Sequence, residues 1–362
     1  MQFKSVKYFN FRNIVDSEVE YDADNIILKG INGQGKTNIL ESIYTLSYGS
    51  SFRTQNIREM VCHGKDDMHL VGNAESDEGE KFKIDYYIKD KKRHIYINDR
   101  EVKDRKELIY NFPCIVFSHE DIDFIKGEPE NRRRFFDQTM SMYNPLYLDD
   151  TRRYRSILNQ RNAAIKNGQL SLLPLYNERL AKYGLSIMEE RVRSIYEFNL
   201  IFPDLYKKIS GSDKNIVIKY LPSWSTLTTT DEVCEYLEST KERDVRNVTT
   251  TSGIHRDRYI VEDENGPFIQ SGSTGQIRLA SLLFRVAEAR FFIKKTGKKP
   301  ILLIDDVLLE LDSNKRASFL KELSDYSQAF YTFLPRENYF SESKESVIEY
   351  LLEEGKVEKA TI

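Results

Sequence analysis

Gly30-Ile31-Asn32-Gly33-Gln34-Gly35-Lys36-Thr37 fits G-x-x-x-x-G-K-[ST], the pattern of a phosphate-binding loop. Its glycines allow a tight backbone curl, so successive N–H groups converge on phosphate oxygens. Lys36 is expected to reach the β- and γ-phosphates of a nucleotide, and the Thr37 hydroxyl to bind Mg²⁺. The flanks suit this reading. Asn25-Ile26-Ile27-Leu28-Lys29 reads as a buried strand running into Gly30, and KTNILESIYTLS reads as a helix. Ile39, Ile43 and Leu46 are spaced four and three apart and share one helical face. The helix start adds its positive dipole end to the site. An ordinary glycine-rich turn between strand and helix is the bland alternative.

The matching acidic element lies far downstream. Ile301-Leu302-Leu303-Ile304-Asp305-Asp306 is an apolar strand closed by two carboxylates, the Walker B form. Asp305 is positioned to hold Mg²⁺ beside Thr37, and Asp306 to orient or activate the attacking water. Lys36, Asp305 and Asp306 are therefore the candidate catalytic residues. Lys36 and Asp305 are 269 positions apart (305 − 36). One nucleotide-binding unit must be split, with its halves near the two ends of the chain.

Between these halves the pattern changes. Residues 68–98 alternate apolar and polar side chains in three runs, the last two flanking the charged turn Asp90-Lys91-Lys92-Arg93. This predicts an antiparallel subdomain at an edge of the main sheet. Residues 131–208 read as mainly helical, 215–221 as a strand, 276–296 as a long helix and 328–334 as a strand.

Composition narrows the class. With 362 residues, 40% hydrophobic and 12% aromatic, the chain can bury a large core, which excludes wholesale disorder. No apolar run approaches a membrane span, and the N-terminus lacks the apolar core of a signal peptide. Cys62, Cys114 and Cys234 lie far apart, so neither a disulfide framework nor a CxxC metal site is expected. A reducing cytoplasm is the simplest address. The 54 basic and 57 acidic residues give a net charge of −3. Binding of nucleic acid by bulk charge is excluded, but a local basic face is not. Arg152, Arg153, Arg155, Arg161 and Lys166 occupy 151–168 without an acid and are the candidate DNA contacts; Arg132, Arg133 and Arg134 lie just upstream. No recognition helix or zinc finger appears, so sequence-indifferent binding is expected.

Ser271-Gly272-Ser273-Thr274-Gly275-Gln276 precedes the long helix and again offers a hydroxyl and free N–H groups to an anion. A flexible surface loop is the alternative. The order of phosphate loop, late Ser-x-Gly-Gln and IDDVLLELD (304–312) resembles the ABC-type ATPase heads of the SMC group. The gap from Thr37 to Ser273 is 236 residues and carries prolines in its helical part, which leaves no room for a long coiled coil. NFRNI (10–14), residues 30–54, FSHEDIDFIKGEPENRRRFFD (117–137) and SGIHRDR (252–258) resemble the RecF family of recombination mediators, from about residue 1 to about 335.

That resemblance implies an α/β P-loop ATPase head of ABC/SMC type: a split lobe I, residues 1–125 and 250–362, with an inserted mainly helical lobe II, residues 126–249. It implies ATP and Mg²⁺ as cofactors, and Ser273, Gly275 and Gln276 as contacts to ATP held by a second copy. Arg12 would lie near the nucleotide phosphates. The family's members are cytoplasmic, ATP-dependent DNA-binding dimers that act at single-stranded gaps and their duplex boundaries in replication-linked repair and the SOS response. They work with RecO and RecR to load recombinase, and weak hydrolysis releases the dimer. The chain departs from the family at His119-Glu120, where Pro-Glu is usual, and at Leu309, where a serine is frequent. Thr332 stands where transporters place a switch histidine. An NTP-driven nuclease subunit and a transporter's nucleotide-binding subunit are the alternative readings.

Overall fold

A computed structural model describes residues 1–323, 325–337 and 346–360. Its strands are β1 (Gln2–Phe9), β2 (Ser17–Glu20), β3 (Asn25–Lys29), β4 (Met68–Glu75), β5 (Lys81–Lys89), β6 (Lys92–Ile97), β7 (Arg100–Glu101), β8 (Cys114–Phe117), β9 (Val217–Leu221), β10 (Arg258–Asp263), β11 (Gly266–Pro267), β12 (Ile301–Ile304), β13 (Gln328–Phe333), β14 (Val347–Glu353) and β15 (Lys356–Lys359). The chain divides into two compact units, 1–120 with 292–362, and 121–291. The first unit is discontinuous in sequence, and the second is the segment between its two parts. Residues 250–291 belong to the inserted unit, and the helix Thr274–Thr296 runs across the division.

The split unit holds two sheets. One has the order β15-β14-β3-β13-β12-β8, parallel except for the β15 edge. Strands β3, β13 and β12 and the edge strand β8 are buried at every position, which is why they read as continuous apolar runs. The other sheet is antiparallel, β2-β1-β4-β5-β6-β7, and alternates buried and solvated residues. The helix Lys36–Tyr48 buries Ile39, Ile43 and Leu46, as their spacing predicts. These join Phe3 on β1, Ile84 and Tyr86 on β5, and Ile301 and Leu303 on β12 in one core.

The inserted unit is built on the helices Pro129–Tyr143, Pro145–Lys166 and Leu173–Asn199, with the small sheet β11-β10-β9. Two buried arginines tie it together. Arg191 donates to Asp137, to Asp257 at 2.7 Å and to the Ile254 carbonyl. Arg161 donates to Asn177, Asp244 and Thr250.

His255 lies in the same unit. Its Nε2 meets the Thr250 carbonyl at 3.0 Å and its Nδ1 meets the Tyr154 hydroxyl at 3.0 Å, so Nε2 donates and Nδ1 accepts. Burial pushes this imidazole down to about 4. The unfolded chain takes up a proton near the ordinary histidine value, and the folded chain does not until about 4. Stability present above that ordinary value is therefore lost as pH falls through this window, by about 3 kcal/mol. His255→Gln should remove much of that slope in denaturant melts at stepped pH; an unchanged slope would locate the acid lability elsewhere.

Candidate nucleotide site

Parallel pairing builds the site. β13 lies between β3 and β12, pairing Leu28 with Thr332 and Ile304 with Tyr331. The C-terminal ends of β3 and β12 therefore open on one edge, where the loop 30–37 follows one strand and Asp305 the other. Thr37 Oγ1 lies 3.0 Å from both carboxylate oxygens of Asp305. The Thr332 hydroxyl lies 3.0 Å from an oxygen of each of Asp305 and Asp306, and accepts the Asp306 backbone N–H at 2.8 Å. Thr332 thus holds both acids.

Lys36 is only 4% exposed. Its ammonium donates to the Gly30 carbonyl at 2.8 Å and stands 3.7 Å from Asp306. A buried cation held by the loop's own carbonyl beside a carboxylate suits an incoming polyphosphate. Gly35 has φ 106, and a Cβ there would approach Ile14 Cδ1 to 2.8 Å and Asn13 Oδ1 to 2.9 Å. A side chain at Gly33 would meet nothing within 4 Å, so that part of the loop is open. Burial pushes the Asp305 carboxyl above the usual carboxylate range; the Thr37 hydrogen bond opposes the shift and the Asp306 charge adds to it. A hydroxyl and a carboxylate in contact are hard oxygen donors, which fit Mg²⁺. Among the described residues no three His, Cys, Asp or Glu side chains are grouped to hold a metal ion. Mg²⁺ at Thr37 and Asp305 would take its other ligands from phosphates and water.

The loop after β1 packs onto the phosphate loop. Asn13 donates to the Gly33 carbonyl and accepts from Asn38 at 2.6 Å. Arg12 gives Nε and Nη2 to Glu41, at 2.9 and 2.6 Å. Glu41, fully buried one turn beyond Thr37, also accepts from Ser51 and Arg53. Arg12, which the family resemblance puts near the phosphates, is here engaged by Glu41, and sequence reasoning misses Asn13, Asn38, Glu41 and Arg53. The one available signal is the four-residue step from Thr37 to Glu41, which puts both on one helix face. The C-terminal hairpin closes on the same loop. Gly355 has φ 78, and a Cβ there would fall 1.8 Å from the Asn13 carbonyl oxygen.

Ser273 begins the helix Thr274–Thr296 within the inserted unit. Its Oγ accepts the Gln276 N–H at 3.3 Å, and the Gln276 side chain accepts the Ser273 N–H at 2.9 Å. This reciprocal cap fixes the turn while leaving Ser273 and Gly275 exposed.

The basic segment needs one correction. Arg152, Arg153, Arg155 and Lys166 are exposed on the helix Pro145–Lys166, but Arg161 is fully buried and paired with Asp244 at 2.7 Å. Arg161 stands nine positions, or two and a half turns, after Arg152 and so faces the opposite way. It cannot be a DNA contact. Arg132 and Arg133, upstream, donate to backbone carbonyls of Ile125, Gly127 and Asp257. Arg161→Ala should cost about 3–5 kcal/mol in chemical denaturation, because Asp244 is left buried and unpaired. An exposed-face change such as Arg155→Ala should cost under about 0.5 kcal/mol; equal losses would show that Arg161 is not an internal anchor.

Taken together, strand order, phosphate loop and paired acids define an SMC-type ATPase head. The model of the RecF/RecN/SMC N-terminal domain matches residues 2–358. The DNA replication and repair protein RecF of Treponema pallidum (strain Nichols) is 38% identical over 347 residues, covering 96% of this chain and 98% of the relative. RecF of Clostridium botulinum (strain Okra) is 34% identical, covering 99% and 100%. A solved structure of the recombination mediator RecF with ATP superposes with a TM-score of 0.89 at 28% identity, covering 99% of this chain and 97% of that one. An Smc head bound to the C-terminal winged-helix domain of ScpA shares the fold, with a TM-score of 0.60 at 15% identity and coverage of 99% and 97%. The chain belongs to the RecF family of DNA replication and repair proteins. No described helix is long and apolar enough to cross a membrane.

Proposed function

We propose that this chain is an ATP-gated, sequence-indifferent DNA-binding protein of recombinational repair. ATP and Mg²⁺ occupy the 30–37 loop, Thr37 and Asp305. Two copies close over two ATP molecules, each lending Ser273, Gly275 and Gln276 to the other's triphosphate. Weak hydrolysis by Asp305 and Asp306 then releases them. The closed dimer binds DNA at single-stranded gaps and their duplex boundaries in the cytoplasm, and helps RecO and RecR load recombinase. The observation that carries the reading is the contact of Thr37 with both oxygens of Asp305. The solved relatives, described as recombination mediators of a RecFOR pathway, one with ATPrS and one with ATP, support the partners and the nucleotide.

On the helix Pro145–Lys166, Arg152, Arg155 and Lys166 fall on one exposed face, so they are the proposed phosphate contacts. Binding to duplex DNA should weaken steeply with salt. Changing all three to alanine should flatten the log–log salt slope by roughly 2.7 per chain, at about 0.9 per phosphate. An unchanged slope would remove this helix from the interface, and a slope near zero in the parent protein would end the DNA-binding reading.

A further inference from the structure

The antiparallel sheet of the split unit carries an unusual outward face. Strand register lines up Phe9 on β1, His69 on β4, Tyr87 on β5 and His94 on β6. Their strand neighbours Tyr8, Leu70, Tyr86, Ile88 and Ile95 are buried, so the row points away from the core. Phe9 is 47% exposed. Tyr87 stacks on His94 at 4.9 Å and 17°, and on Tyr96 at 6.0 Å and 5°. His69 meets Tyr87 edge-on at 5.7 Å. Three nearly parallel rings therefore form a pile on a solvated sheet face, and among the described residues neither His94 nor Tyr96 stacks on a ring beyond Tyr87.

The charges around the pile are uneven. One step along the same strands, the hairpin 89–92 exposes Lys89, Lys91 and Lys92 with Asp90 as its single acid, while Arg93 lies on the other side of β6 and donates to the Gly49 carbonyl at 3.1 Å. Two acids face the rings: Asp85, taken up by His69 at 3.1 Å and Lys83 at 2.9 Å, and the exposed Glu101, which lies across from Tyr96 on β7. The rest of the face carries Val71, Asn73, Lys83 and Lys7, the last paired with Glu18 at 3.3 Å, so it is largely polar and does not suit an apolar protein partner. A pile of flat rings open at its ends is extended by another flat ring, and the neighbouring ammoniums match phosphates. Unpaired bases offer such faces; in a duplex they are hidden in the stack.

We propose that this face, centred on Tyr87, His94 and Tyr96, is a stacking platform for the unpaired bases of single-stranded nucleic acid, with Lys89, Lys91 and Lys92 of the hairpin holding the backbone. The proposal rests on the reading that the chain binds DNA, and gives it a contact for single strands apart from the helix Pro145–Lys166.

The test measures binding of the full chain to a fluorescent oligothymidylate, to an abasic oligomer of equal length and to a duplex, all at one salt concentration. The parent protein should prefer the oligothymidylate to the abasic strand by about ten-fold. Tyr87→Leu with Tyr96→Leu, which keeps apolar bulk on the strands, should erase that preference and leave duplex affinity unchanged. Tyr87→Phe with Tyr96→Phe should retain it, because stacking needs the ring and not the hydroxyl. A merely structural role for the rings would lower the melting temperature of the leucine pair without touching the preference, and that outcome overturns the proposal. So would equal affinity of the parent protein for both single strands while duplex binding stays strong, or a preference that survives in the leucine pair; either would give this face to a different partner. If the parent protein binds none of the three DNAs, the DNA-binding reading itself fails.

Discussion

Asp305→Asn is expected to lower ATP hydrolysis at least about a hundred-fold while raising the melting temperature of the nucleotide-free protein in chelator. The two effects share one cause. Asp305 is buried at the end of β12, and burial holds its carboxyl above the usual range. A buried acid whose folded value is raised penalises the folded state once pH exceeds the unfolded value, and acidification relieves it. Asparagine is neutral at every pH and its carbonyl can still accept from Thr37 and Thr332 at the positions now used by Oδ1. The stability advantage of the variant should therefore be largest at neutral pH and shrink as pH falls. Catalysis loses because the amide brings no charge to Mg²⁺. Thermal melts with and without Mg²⁺-ATP separate these effects: the parent protein gains stability from the metal complex and the variant gains much less. A variant that is less stable in chelator would mean that Asp305 is held by interactions stronger than its desolvation.

The site's central parts are legible in the sequence because they obey local rules. A strand, a glycine curl and an amphipathic helix are contiguous, and β12 announces itself as four apolar residues before two acids. What joins them is not local. Thr332 reaches the acids only through the parallel pairing of β13 beside β12. The C-terminal strands escape sequence reasoning for a related reason. Val347, Ile348, Tyr350, Leu351 and Leu352 fit a helical face as well as a strand, and only pairing of β14 with β3 decides between them. Arg161 shows a third limit. A window that counts charges ignores the turn of the helix, so a buried anchor is grouped with solvated arginines. The SGIHRDR segment, although close to the late nucleotide motifs in sequence, packs through Ile254 and Asp257 onto Arg191 of the helical unit, a link that no local pattern announces.

Ser273→Arg should abolish ATP-dependent dimerisation, raising the dimer dissociation constant at least about a hundred-fold, while one chain still binds ATP. The geometry makes the experiment sharper than a single substitution. Ser273 has two separable properties: it caps its helix through Gln276, and it is exposed where a second molecule could reach it. Arginine removes the cap, which costs about 1 kcal/mol, and also fills the space required by a partner's phosphate. Ser273→Asp retains capping ability but puts a negative charge where the proposed phosphate must sit, and Ser273→Thr retains both the hydroxyl and the cap. If the serine acts across the dimer, threonine should dimerise in sedimentation with a non-hydrolysable ATP analogue. Aspartate should fail despite a normal melting temperature, and arginine should fail with a lowered one. If the serine serves only its own helix, dimerisation should follow stability, and aspartate should behave like the parent protein. Normal dimerisation by the arginine variant would show that the two triphosphates are not closed by this turn.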